Sequence, residues 1–246
     1  MDPLTTAAAA GMRSRMDALD LLANNMANSS TPGYKADRES YNLYMSAEAA
    51  AEATGSSVRS PLVESQWIDL SQGALRATGN ASDVAISGSG FLLAESPNGV
   101  LLSRGGTLRV TGDGKLTTQD GYELVTVGPR RIKADPGRPV EIDNAGVVRQ
   151  EGGILGQLRL VEAPPAGELA RRDGVYMRLD TRRLGELKPA SAELRQGHLE
   201  SSNTGPAVTA ARLIGILRQF ESLQKAIQIG GEMNRRAVEE VAKIHP

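Results

Sequence analysis

The 246-residue chain has no cysteine, which excludes a disulfide scaffold, a thiol nucleophile and any cysteine-based zinc site, and leaves the redox compartment open. Aromatic residues make up only 3% of it. One Trp, two Phe and five Tyr form a thin platform for an aromatic-lined binding groove, so the core falls to Leu, Ile, Val and Met. The only two histidines, His198 and His245, flank the long C-terminal helical pattern from opposite sides and offer neither a metal set nor a Ser-His-Asp arrangement. With 28 Lys+Arg against 29 Asp+Glu there is no positive excess to neutralise phosphates, so no nucleic-acid partner is expected. No apolar run approaches the roughly 18 residues of a membrane span, so no direct membrane insertion is expected. The Ala7 to Ala10 run stops at Gly11 and Arg13, short of the about 7–15 apolar residues of a secretory signal, so no cleavable signal peptide is expected either. Gly88-Ser89-Gly90 has Leu93 where a dinucleotide fingerprint needs its third glycine, and reads as a turn. No cofactor and no enzyme is implied.

What the chain does have is a helix pattern at each end. The first starts at Asp2-Pro3, where a capping Asp precedes a Pro whose missing N–H costs nothing in the first turn. It stops at Asn28-Ser29-Ser30-Thr31-Pro32-Gly33, a run of turn formers. Between these limits Met12, Met16, Leu19, Ala23 and Met26 step by four and three, a heptad seam. After Asn203-Thr204-Gly205-Pro206 a longer pattern runs almost to the terminus, with Leu213, Ile216, Phe220, Leu223 and Ile227 in the same spacing. The seam weakens at Gly230-Gly231 and Asn234 and resumes at Ala237, Val241 and Ile244, which predicts a kink, a break or a tight contact at the glycines.

Between the helices, Gly and Pro punctuate short runs such as Asp83-Val84-Ala85-Ile86, Phe91-Leu92-Leu93 and Leu108-Arg109-Val110, which are strand signals. Further strands are predicted at 125–127, 139–142, 147–149, 155–161 and 175–179. Pro97-Asn98-Gly99, Thr111 to Lys115 and Asp120-Gly121 are hairpin turns. The acidic residues of these turns lack the alternating spacing and closing Glu of a calcium loop. The predicted fold class is α+β: N- and C-terminal helices form a coiled-coil-like inner domain, with a central all-β domain inserted between them. The predicted segments are 1–30 (N-terminal helix), 31–70 (extended connector), 71–190 (β domain), 191–205 (return connector) and 206–246 (C-terminal helix). Within the connector, Ser46 to Ala53 reads as a short helix or a mobile loop.

The helix lengths do not match. A C-terminal helix of about 39 residues is roughly 58 Å long, while about 27 N-terminal residues flank only some 40 Å. An isolated helix depends on tertiary packing for most of its stability, so other copies must supply the missing partners. Head-to-tail repetition of such a subunit generates an open helical array, a filament or tube.

The stretch Leu22-Ala23-Asn24-Asn25-Met26-Ala27-Asn28-Ser29-Ser30-Thr31-Pro32-Gly33-Tyr34-Lys35 resembles the N-terminal signature of flagellar rod and hook proteins. Gly79 to Phe91, the Thr111 to Gly121 hairpin and Gly197-His198-Leu199-Glu200-Ser201-Ser202-Asn203 agree in order, so the resemblance spans nearly the whole chain. The short stretch after Tyr34, the opening Met-Asp and Arg171 to Tyr176 make it look most like a proximal rod subunit. Thr204-Gly205-Pro206 departs from the family pattern, as does the charged end after Met233. The resemblance implies a structural rod subunit that assembles with copies of itself and other rod and hook family proteins into a hollow drive-shaft. It also implies unfolded export by the flagellar type III apparatus, assembly in the periplasm, and terminal helices lining a channel with the β domain outside. The alternatives are a distal rod or hook-type subunit, or a surface-binding β module with oligomerising helices. The expected assembly interface comprises the two seams together with Asn24, Asn25 and Asn28. These three asparagines read either as inter-subunit amide bonds or as ordinary fraying near a helix end.

Overall fold

The computed structural model describes residues 3–45, 59–165, 169–178 and 185–244. The chain divides into two compact units, one of residues 1–26, 37–66 and 206–246 and the other of residues 27–36 and 67–205.

The first unit contains helix α1 (Pro3–Ala27), a two-stranded sheet of β1 (Asp37–Met45) and β2 (Arg59–Ile68), and helix α2 (Pro206–Ile244). Both helices open on a proline, where its fixed φ and missing donor suit the first turn. The stretch predicted as an extended connector carries β1 and β2. The alternation of Tyr41, Leu43 and Met45 is the period-two signal for the first of them. Ser46 to Ala53 lies outside the described residues. α2 runs without interruption through Gly230 and Gly231, so the predicted break is absent. Gly230 is buried, while Gly231 is exposed with open space where a Cβ would stand.

The second unit is built on an antiparallel ten-stranded sheet. Its strands are β4 (Asp83–Ser87), β5 (Phe91–Ser96), β6 (Gly99–Ser103), β7 (Gly105–Val110), β8 (Leu116–Thr118), β9 (Glu123–Leu124), β13 (Leu160–Val161), β14 (Ala170–Asp173), β15 (Tyr176–Arg178) and β16 (Glu193–Gln196). The order is β14-β15-β6-β5-β9-β8-β7-β4-β16, with β13 added on β5. A three-stranded sheet, β10 (Glu141–Ile142), β11 (Val147–Gln150) and β12 (Gly153–Gln157), and a pair, β3 (Leu75–Ala77) with β17 (His198–Glu200), complete it. The predicted hairpins form: Pro97-Asn98 joins β5 to β6, and Thr111 N–H bonds the Lys115 carbonyl between β7 and β8. Val84, Ala85 and Ile86 are all fully buried in succession, as expected of a strand covered on both faces.

Two apolar clusters form the core. The larger holds Val84, Ile86, Leu92, Val148, Leu158 and Leu194 among others, and the smaller holds Phe91, Leu93, Leu102, Val161 and Met177. Residues 191–205, predicted as a return connector, are part of this body. β16 pairs with β4 from Glu193↔Ser87 to Gln196↔Val84, and β17 pairs with β3. Pairings between strands so distant in sequence leave no local signal beyond short alternation, which is why the sequence reads as a linker there.

Candidate functional site

On α2 the predicted seam is visible in the burial. Leu213, Ile216, Phe220, Leu223 and Ile227 are half-buried, in line with the buried Thr209 and Gly230. Apolar side chains off this stripe stand in solvent: Ile214, Leu217, Ile229 and Met233 are 53%, 43%, 48% and 64% exposed. On α1 the buried stripe is a different one. It consists of Gly11, Ser14, Ala18, Leu22 and Asn25. Of the predicted seam, Met12, Leu19 and Met26 are half-buried, whereas Ala23 and Met16, the latter at 54%, are exposed. Small residues let backbones approach closely: a Cβ at Gly11 would stand 3.5 Å from Leu223 Cδ1. The Gly, Ser and Ala at steps of three and four were the signal for this stripe, masked by the bulkier Met seam beside it.

Asn24 is exposed and Asn28 half-buried. Asn25 is buried, and its amide serves the chain itself: Nδ2 donates to the Asp37 carbonyl at 2.8 Å, and Oδ1 accepts from Asp37 N–H at 2.9 Å. It thus pairs with the first residue of β1 as a neighbouring strand would. The Asn28 carbonyl accepts Thr31 N–H and its Oδ1 accepts the Thr31 hydroxyl, closing the turn that ends α1. Arg212 stands 3.6 Å from the buried Glu39 of β1.

In the second unit the two signature stretches meet. Pro32-Gly33 turns the chain with Gly33 at φ 75°, and Gly33 N–H donates to the Glu200 carbonyl at 2.7 Å. Lys35 is fully buried, and its Nζ donates to Glu200 Oε1 and to the Ser71 carbonyl, both at 2.6 Å. Glu200 Oε1 also accepts Gly73 N–H at 2.8 Å, and Oε2 accepts Arg104 Nε at 2.8 Å. The remaining guanidinium N–H groups of Arg104 donate to the carbonyls of Gly90, Gly88 and Ile86 at 2.5, 2.9 and 3.2 Å. The Gly88-Ser89-Gly90 turn therefore works as a cradle for Arg104, a role its sequence does not announce.

Two cations thus share one carboxylate in a site closed to water. Burial pushes the Lys35 ammonium below the usual lysine range, while its bond and attraction to Glu200 act in the opposite direction. Tyr34, also fully buried, lies under the Arg171 guanidinium at 4.4 Å, and Arg171 donates to the Lys35 carbonyl as well. Asn203 fastens the neighbouring backbone: Oδ1 accepts Ala36 N–H at 2.7 Å, and Nδ2 donates to the Asp69 carbonyl at 2.7 Å. Gly73 is required for close approach, since a Cβ there would stand 1.9 Å from the Ser201 carbonyl oxygen. Such a constellation holds segments in register. Among the described residues no three His, Asp or Glu side chains gather as a metal site. Lys35 and Glu200 belong to the quoted signature stretches, but their partnership spans 165 positions and only the fold reveals it.

Three sequence families match the chain: "Flagella basal body rod protein" over residues 6–35, "Flagellar hook protein FlgE/F/G D1 domain" over 85–150 and "Flagellar basal body rod FlgEFG protein C-terminal" over 195–240. The flagellar basal-body rod protein FlgF of Caulobacter vibrioides is 30% identical over 92% of this chain and 93% of its own length. FlgG of Agrobacterium fabrum is 29% identical over 92% of this chain and 94% of its own. The flagellar hook protein FlgE of Brucella abortus is 28% identical, over 64% of this chain and 41% of that protein.

Proposed function

Given that the chain belongs to the flagellar basal-body rod protein family, as a structural rod subunit most like the proximal rod protein, we propose that α1 and α2 pack with neighbouring copies and related rod proteins into a hollow shaft. In this reading α1 and α2 pair antiparallel as a coiled-coil-like inner body. The placement of Gly11 on Leu223, of Asn25 on Asp37 and of Glu39 on Arg212 supports that direction. Neighbours then cover what the chain leaves wet: Met16 and Ala23 on α1, and Ile214, Leu217, Ile229 and Met233 on α2, with the half-buried seams at the rim of each contact.

The single observation that carries this reading is the 39-residue α2, which exposes large apolar side chains along its length in a chain of a rod-protein family. Full burial of one such side chain is worth about 1.5–3 kcal/mol, so several per subunit make assembly strongly favourable. The shaft so formed transmits torque and encloses the channel through which subunits travel. The chain reaches its place through the flagellar type III apparatus and assembles in the periplasm. None of the described helices is long and apolar enough to cross a membrane. Labelled electron microscopy of isolated basal bodies tests the assignment. Label in the rod is the expected result, and label confined to the cytoplasm or the outer cell surface would overturn it.

A further inference from the structure

We propose that Lys35, Arg104 and Glu200 form a clasp that opens and closes apart from the rest of the β unit, and that its closure fixes three of the four points where the chain passes into or out of that unit. The residues come from three remote places, with sequence separations of 96 between Arg104 and Glu200 and 165 between Lys35 and Glu200. Neither apolar cluster of the unit draws a member from residues 27–36 or 197–205. Apart from the buried Tyr34 and Ala36, these two segments are held by hydrogen bonds and charge: Gly33 on Glu200, Ala36 on Asn203, Lys35 on Glu200 and Ser71, and Ser201 N–H on the Ala74 carbonyl. A polar strap over an apolar core can release while the core stays packed, which is how contiguous segments of unequal stability behave.

Glu200 is the keystone of the strap. Its side chain is 1% exposed and is the one anion between two cations, Lys35 at 1% and Arg104 at 2%. Arg104 is anchored to the body by three carbonyls and does not follow the strap, so loss of the Glu200 charge leaves two buried positive groups facing each other. The chain passes between the units at 26/27, 36/37, 66/67 and 205/206. The last three crossings are close in sequence to residues of this constellation: Ala36, Asp69 and Asn203 respectively. With the clasp closed, these three exits are tied to one another by Ala36–Asn203, Asn203–Asp69 and Asp69–Ala36 bonds. With it open, each exit moves independently.

Amide hydrogen exchange on the full-length chain tests this without reference to rod assembly. In Glu200→Gln, the amides of Gly33, Ala36 and Gly73 are expected to exchange at least about 100-fold faster, while those of residues 84–86 and 92–94 keep their wild-type rates. Lys35→Met, which leaves the Arg104–Glu200 pair balanced, is expected to give a smaller acceleration of about 10-fold at the same amides. The double exchange Lys35→Glu with Glu200→Lys is expected not to restore protection, because the new lysine would face the fixed Arg104. Acceleration of core and strap amides together in either single variant, loss of core protection in either, unchanged strap amides, or wild-type protection in the double exchange would each overturn the clasp.

Discussion

The two units of this chain treat their apolar residues in opposite ways. In the β unit Val84, Ile86, Leu102, Val148, Met177 and Leu194 are all 0% exposed, each covered by its own chain. Along α2 the only described residues that are buried are Thr209 and Gly230, and the large apolar side chains are half-buried or bare. The first unit carries a helix stripe too long for its partner, the second a saturated core. A single chain thus holds one finished body and one that, on the proposed assembly, neighbours finish. The β unit also buries an ion cluster in which Glu200 serves both Lys35 and Arg104.

The largest effect that would sharpen this contrast is expected from Phe220→Asp or Leu223→Asp. A charge placed in a half-buried seam is expected to abolish incorporation into basal bodies, while the unfolding transition of the β unit stays where it was. Normal incorporation of either variant would show that this stripe is no interface. Next, Leu102→Ala is expected to cost the β unit about 2–5 kcal/mol in chemical denaturation. Leu217→Ala on exposed α2 is expected to change monomer stability by less than about 0.5 kcal/mol yet to weaken assembly. Equal costs in the monomer would erase the difference between the units. In dilute monomer, amides of residues 4–26 are expected to exchange much faster than those of 84–94, and equal protection would mean that the helices need no neighbours.

The smallest expected effect is a pH slope. The folded Lys35 binds its proton less tightly than the unfolded chain does, so unfolding takes up protons between its lowered value and the ordinary 10.5. Wild-type stability is therefore expected to gain with rising pH in that window relative to Lys35→Met, as read from denaturation midpoints of the two proteins. Parallel slopes would mean that Lys35 titrates normally.

Periodicity alone exposed the α2 seam and the ends of both helices, because helix geometry and capping are local. The same reasoning did not see which stripe of α1 the chain buries against itself. It favoured Met12, Met16 and Leu19 over the smaller Gly11, Ser14 and Ala18, since hydrophobic spacing cannot see that close approach of backbones selects small residues. It also rendered β1, β2, β16 and β17 as connectors: β16 and β17 gain their partners only from distant segments, and the short alternation of Tyr41, Leu43 and Met45 in β1 stood without a second strand signal beside it. Of the junction, the residues Tyr34, Lys35, Glu200 and Asn203 were in view as parts of two motifs. Their meeting was not, and Arg104 had no signal at all.

By itself, then, the order of residues determined that two helices bracket a β body, where the tight hairpins fall, and that the chain resembles rod and hook proteins. All of these follow from spacing, turn chemistry or motif over short spans. Only the tertiary structure decided which helix stripe turns inward and which three charged side chains share a dry site. Those outcomes depend on volumes and on dielectric exclusion created when segments up to 165 positions apart come together.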